Sequence, residues 1–154
     1  ILRYVQVKKD SRFRLLKHIN FLENELKDYD IFKSLSWTEY DNDRHKRRDV
    51  ERWVENIINS SIDISKIILN AEGKSLPDTY KEVIKSLCAL LKFKEEDMNN
   101  LSELIRLRNI VSHEYLDIRW TSIRKFIAEN KPLYEYFLDK VELYLERKTK
   151  KDKK

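Results

Sequence analysis

The chain has 154 residues, the length of one domain, of which 41% are apolar and 38% charged. One glycine and two prolines leave few tight turns, so long solvent-facing helices with short connections are expected, and the single cysteine excludes an internal disulfide framework. The net charge of +5 is compatible with an acidic partner such as RNA without requiring one, and no run approaches the roughly twenty apolar residues of a membrane span.

In chain order, Phe13, Leu15, Leu16, Ile19, Leu22 and Leu26 recur at three- and four-residue spacing and predict a first helix from about Ser11 to Lys27. Asp28 to Asn42 reads as irregular, anchored by Trp37 and Tyr40. Asp43 or a neighbour caps a long second helix, about Arg44 to Asn70. Its buried face holds Val50, Trp53, Val54, Ile57, Ser61, Ile64, Ile67, Ile68 and Ala71. Gly73 stands where a left-handed residue ends a helix, and Pro77 keeps the connection from being helical.

Thr79-x-x-Glu82 reads as a capping box opening a third helix to about Leu91, with Val83, Ile84, Leu87, Leu90 and Leu91 inward. Cys88, in that apolar run, reads as a small core residue. A fourth helix spans about Glu95 to His113, with Met98, Leu101, Leu104, Ile105 and Val111 inward. A fifth begins near Asp117, which is placed to cap it, and carries Trp120, Ile123, Phe126 and Ile127. Asn130-Lys131-Pro132 interrupts it, and Leu133, Phe137, Val141 and Tyr144 continue an apolar face to about Arg147. The expected fold is all-α, an antiparallel up-and-down bundle of four to five helices over residues 1–146, followed by a basic tail, 147–154. The opening Ile1-Leu2-Arg3-Tyr4 lacks the apolar core of a signal peptide, and with the lone cysteine this points to the cytoplasm.

The chemistry concentrates in Arg108-Asn109-Ile110-Val111-Ser112-His113-Glu114-Tyr115, which holds one of only three histidines. An imidazole moves protons near neutral pH, and a guanidinium holds a phosphate by a planar fork of donors. Asn109 and His113 are four residues apart on one helical face, so the amide can orient the ring. Arg108 and Ser112 form the adjacent stripe, and Arg108 and His113 flank one groove. The same residues also fit an ordinary helix C-terminus, where the macrodipole favours Arg and His. Convergence of Tyr115 on His113 requires the helix to end or bend near Glu114, because two residues on a continuing helix diverge by about 200°.

The basic cluster Arg44, Lys46, Arg47 and Arg48 is a candidate for RNA contact, since cations at a helix start oppose its dipole and need another reason to stand there. Neutralisation by Asp41, Asp43, Asp49 and Glu51 is the alternative. The tail reads either as a solvated helix end or as a nonspecific phosphate contact. His18 and His45 lack partners at chemical spacing. No metal site and no cofactor are expected.

Three stretches resemble the HepT branch of the HEPN family across about Lys46 to Val141. They are the helix from Val50-Glu51-Arg52 to Ile68-Leu69-Asn70, the break Gly73-Lys74-Ser75-Leu76-Pro77-Asp78-Thr79-Tyr80, and Leu104 to Ile118. The last contains the family's R-x4-H-x-Y signature as Arg108, His113 and Tyr115. The resemblance implies a HEPN-like bundle forming a two-fold dimer, and a metal-independent endoribonuclease toxin with Arg108, Asn109 and His113 as catalytic residues. It also implies a nucleotidyltransferase antitoxin of the MNT type, which silences the toxin by adding AMP to Tyr115. One histidine per chain is short of an acid–base pair, and a two-fold dimer that shares a cleft supplies the second. The competing reading is a non-catalytic, nucleotide-binding subunit of a two-component nucleotidyltransferase, in which Arg108 holds a phosphate and His113 is structural. A third is a helical interaction protein with no site.

Overall fold

The computed structural model describes residues 2–152, and side chains for residues 9–150, so Lys153 and Lys154 of the basic tail lie outside it. Among the described residues there are nine helical segments and no strand: α1 (Leu2–Lys27), α2 (Tyr29–Phe32), α3 (Trp37–Asn42), α4 (Arg44–Ala71), α5 (Tyr80–Leu90), α6 (Glu95–Glu103), α7 (Arg106–His113), α8 (Leu116–Glu129) and α9 (Lys131–Asp152). The chain is thus all-α, as its periodicity implies, with more and shorter segments than four to five helices.

The axis of the bundle is α4, against which α1, α3, α5 and α7 all pack. α1 and α4 run antiparallel: Trp53 Nε1 donates to the Glu25 carbonyl (2.7 Å), and Ser60 Oγ, further along α4, donates to the His18 carbonyl (3.4 Å), earlier on α1. Every residue expected on the inner face of α4 is buried except Ala71, which sits at the exposed last turn. Asp43 caps α4 by accepting from the backbone N–H groups of His45 (3.0 Å) and Lys46 (3.1 Å). Gly73 closes it with φ of 69°, and the Lys74 N–H reaches back to the Leu69 carbonyl (2.9 Å).

The segment expected to be irregular holds two short helices instead. Ser36 opens α3 with a reciprocal capping box, accepting from the Glu39 N–H (3.2 Å) while its own N–H donates to Glu39 Oε1 (3.4 Å). These two helices carry Tyr29 and Tyr40 into the core. Tyr29 meets Trp53 edge-on at 4.6 Å and stacks on Phe126 at 5.7 Å, which joins α2, α4 and α8 in one aromatic cluster. On α1, Leu15, Ile19, Leu22 and Leu26 are buried, whereas Phe13 and Leu16, off that three- and four-residue stripe, are exposed.

The single fourth helix of the sequence pattern is broken into α6 and α7. Ser102 is buried, and its hydroxyl donates to the Asn99 carbonyl (2.9 Å), a side-chain bond that competes with the helical ladder. The next N–H groups reach back three residues rather than four: Ile105 to Ser102, Leu107 to Leu104 and Arg108 to Ile105. The tightened turn lets α7 start on a new axis. α9 begins with Pro132 in its first turn, where a missing N–H costs nothing, and continues through Arg147 to Asp152. Cys88 is fully buried, and burial pushes its thiol up to about 12.

Candidate active site

Arg108, Asn109 and His113 lie on the outer side of α7, whose inner side is Leu107 and Val111. α7 ends at His113. Glu114 is extended (φ −89°, ψ 164°), and Tyr115 is the extended N-cap residue of α8. The helix therefore stops where convergence of His113 and Tyr115 requires it to. Asp117 does not cap α8; it sits in the first turn, where its charge favours the helix N-terminus. Asn109, Ser112 and His113 are exposed and Arg108 is half-buried. Asn109 and His113 share a face, but no hydrogen bond joins the amide to the ring. Tyr115 is 81% exposed and so open to an approaching molecule.

A chain of hydrogen bonds holds this turn from behind. The Tyr40 hydroxyl donates to Glu51 Oε1 (2.6 Å) and Arg119 Nη1 donates to the same oxygen (3.1 Å). Arg119 Nε then donates to the Glu114 carbonyl (2.7 Å). One guanidinium thus ties the extended residue between His113 and Tyr115 to the middle of the bundle. Burial, reinforced by the Glu51 carboxylate, pushes the Tyr40 hydroxyl above its ordinary range, so it stays a donor.

Arg108 is positioned by an aromatic ring. Its guanidinium carbon lies 5.0 Å from the centroid of Tyr80, the first residue of α5, and Lys66 Nζ of α4 lies 4.7 Å from the same centroid. Sequence spacing signals neither Tyr80 and Lys66 nor Tyr40, Glu51 and Arg119, because their partners lie in separate elements.

The basic cluster at the start of α4 is otherwise occupied in part. Lys46 pairs with Glu39, and Arg47 Nη1 donates to the carbonyls of Tyr40 (3.1 Å) and Asp41 (2.9 Å) at the end of α3. Arg44 and Arg48 are exposed. Among the described residues, no three His, Cys, Asp or Glu side chains gather as metal ligands would, and no helix is long and apolar enough to cross a membrane.

An all-helical bundle with an R-x4-H-x-Y motif at an exposed helix end defines a class, and sequence comparison places the chain within it. The family described as "Ribonuclease HepT-like" matches residues 15–141, and the chain belongs to that family. No curated protein sequence matches. Among solved structures, the fold is similar to a tri-AMPylated HEPN toxin of Shewanella oneidensis in complex with an MNT antitoxin. The TM-score is 0.71 at 18% identity, over 84% of this chain and 96% of that one. At that identity the likeness establishes the HEPN toxin fold alone.

Proposed function

We propose that this protein is the toxin of a toxin–antitoxin pair, an endoribonuclease that cuts RNA without a metal ion. The observation that carries the reading is the placement of Arg108, Asn109, His113 and Tyr115 on one exposed helix end of a HepT-like bundle. His113 takes the proton of an RNA 2′-hydroxyl, whose oxygen attacks the adjacent phosphorus. Arg108 stabilises the charge that builds on the phosphorane oxygens, and Asn109 donates to a phosphate oxygen. The bond from phosphorus to the 5′-oxygen breaks, and that oxygen leaves with a proton. The products are a 2′,3′-cyclic phosphate and a 5′-hydroxyl.

The leaving oxygen needs an acid while His113 is acting as base. A two-fold homodimer with both motifs on one cleft supplies it from the second protomer. The openness of the site supports this arrangement, since residues this exposed need a second wall to exclude water. The cognate partner is an MNT-type nucleotidyltransferase, by analogy with the complex above. AMP joined to the Tyr115 hydroxyl puts a phosphate and a base into the cleft, where they compete with RNA for Arg108. The pair acts in the cytoplasm.

The test is the chemistry of the ends. RNA incubated with purified protein in excess EDTA should yield 2′,3′-cyclic phosphate ends, and a 2′-deoxy nucleotide at the cut should abolish cleavage there. Cleavage at the deoxy position contradicts the scheme. A protein that binds nucleotide and never cuts RNA is instead the non-catalytic subunit.

A further inference from the structure

Tyr80 has two cations against its ring, Lys66 and Arg108, contributed by different helices. Charges this close to one centroid lie no more than about 10 Å apart, about one screening length at 0.1 M salt, so each feels the other. Like charges within that range gain from compensation by an anion. The nearby cations receive it: Glu103 pairs with Lys81 (2.6 Å) and with Arg106 (3.6 Å). Lys66 and Arg108 do not, for among the described residues neither forms a salt bridge. The ring's negative face offsets part of their charge and fixes where they stand. Tyr80 itself is 44% exposed, so the pair opens to solvent.

We propose that Tyr80 seats Lys66 beside Arg108 as a second phosphate-binding cation, so that the site grips two neighbouring phosphates of one RNA strand. Arg108 takes the scissile phosphate and Lys66 an adjacent one. This rests on the ribonuclease reading of the site and adds a subsite to it. Lys66 and Tyr80 lie outside the R-x4-H-x-Y motif. Lys66 acts by holding the strand, and Tyr80 is a positioning residue for both cations.

The experiment measures binding of a single-stranded RNA oligonucleotide, 2′-O-methylated throughout so that it cannot be cut, across a salt series, alongside steady-state cleavage of the unmodified strand. A phosphate contact on a single strand contributes about 0.7 to the slope of log K against log salt. Lys66→Gln should lower that slope by about this amount and weaken binding several-fold, with the loss of cleavage falling on KM rather than kcat. Lys66→Arg should restore the slope. Tyr80→Leu should lower both the slope and kcat, and Tyr80→Phe, which keeps the ring face, should recover most of what Tyr80→Leu loses.

An unchanged slope in Lys66→Gln, with wild type binding and cleaving, overturns the second subsite and leaves the ribonuclease reading standing. Wild type that neither binds nor cleaves overturns that reading and the subsite with it. Thermal melting of each variant separates loss of fold from loss of the contact, and equal behaviour of Tyr80→Leu and Tyr80→Phe removes Tyr80 from the account.

Discussion

Helices α4 and α7 touch, yet they use their residues in opposite ways. α4 has 28 residues, is capped by Asp43 and closed by Gly73, and buries thirteen side chains. α7 has eight residues, starts from a tightened turn without a side-chain cap, and buries only Leu107 and Val111. Its outer side carries Asn109 and His113 into solvent and Arg108 against the Tyr80 ring. Residues that hold the bundle together and residues proposed to meet the substrate are therefore different sets, joined by only a few contacts. Arg119, Glu51 and Tyr80 make those contacts. The division predicts that activity and stability can be lost separately, and that the linking residues are where both are lost together.

The largest expected effect is on chemistry. Arg108→Ala should lower the rate of RNA cleavage by about 100- to 1,000-fold, the usual cost of removing a donor to developing charge. Its melting temperature should stay close to wild type. A large drop in melting temperature would move Arg108 from the site to the scaffold and break the division.

Trp53→Ala tests the other side. The indole is edge-on to Tyr29 and Phe126 and donates to the Glu25 carbonyl, so its loss leaves a cavity where α1, α2, α4 and α8 meet. Unfolding in denaturant should show a loss of about 3–5 kcal/mol. A loss under about 1 kcal/mol would mean that the aromatic cluster is not the centre of the core.

Arg119→Ala should act on both sides at once. It frees the Glu114 carbonyl and removes one of the two donors that hold the Glu51 carboxylate, with an expected cost of about 1–3 kcal/mol. With the turn loosened, cleavage should fall as well, even though the side chain is bonded to Glu114 and Glu51 and is not one of the proposed catalytic groups. Full activity in a destabilised Arg119→Ala protein would show that the turn does not need this tether.

The smallest effect lies on the α1–α9 side. A hydrogen bond with Glu23, then burial and neighbouring negative charge, raise the Glu142 carboxyl to about 7 from an ordinary value of 4.5. Between those values the folded protein holds a proton that the unfolded chain has released, so stability falls as pH rises from 4.5 to about 7. Glu142→Gln should flatten this part of the melting curve against pH and raise the melting temperature slightly at pH 8. The group is largely solvent-screened, so the change should be small. An unaltered pH profile would separate Glu142 from Glu23.

Much of this was legible in the residues. The long stripe of α4, the left-handed Gly73 and the R-x4-H-x-Y motif are local patterns, and local patterns need no partner to be read. The Ser36-Trp37-Thr38-Glu39 capping box was equally local, a signature that contradicts an irregular reading of the segment. The break between α6 and α7 was harder, because Ser102 bends a helix only when it is buried and turned onto the Asn99 carbonyl. The supports of the site were not legible at all. Arg119 meets Glu51 across 68 residues, and Tyr80 meets Lys66 and Arg108 from a third helix. Spacing along the chain carries no record of such meetings.

The central claim is that His113 belongs to the chemistry and not to the scaffold. One preparation of His113→Ala, assayed beside wild type, tests it most directly: RNA cleavage in EDTA and thermal melting on the same samples. The account predicts that wild type cuts RNA in EDTA, that His113→Ala does not, and that the two melt together. Cleavage by His113→Ala at the wild-type rate, or a wild type inactive in EDTA, would contradict it.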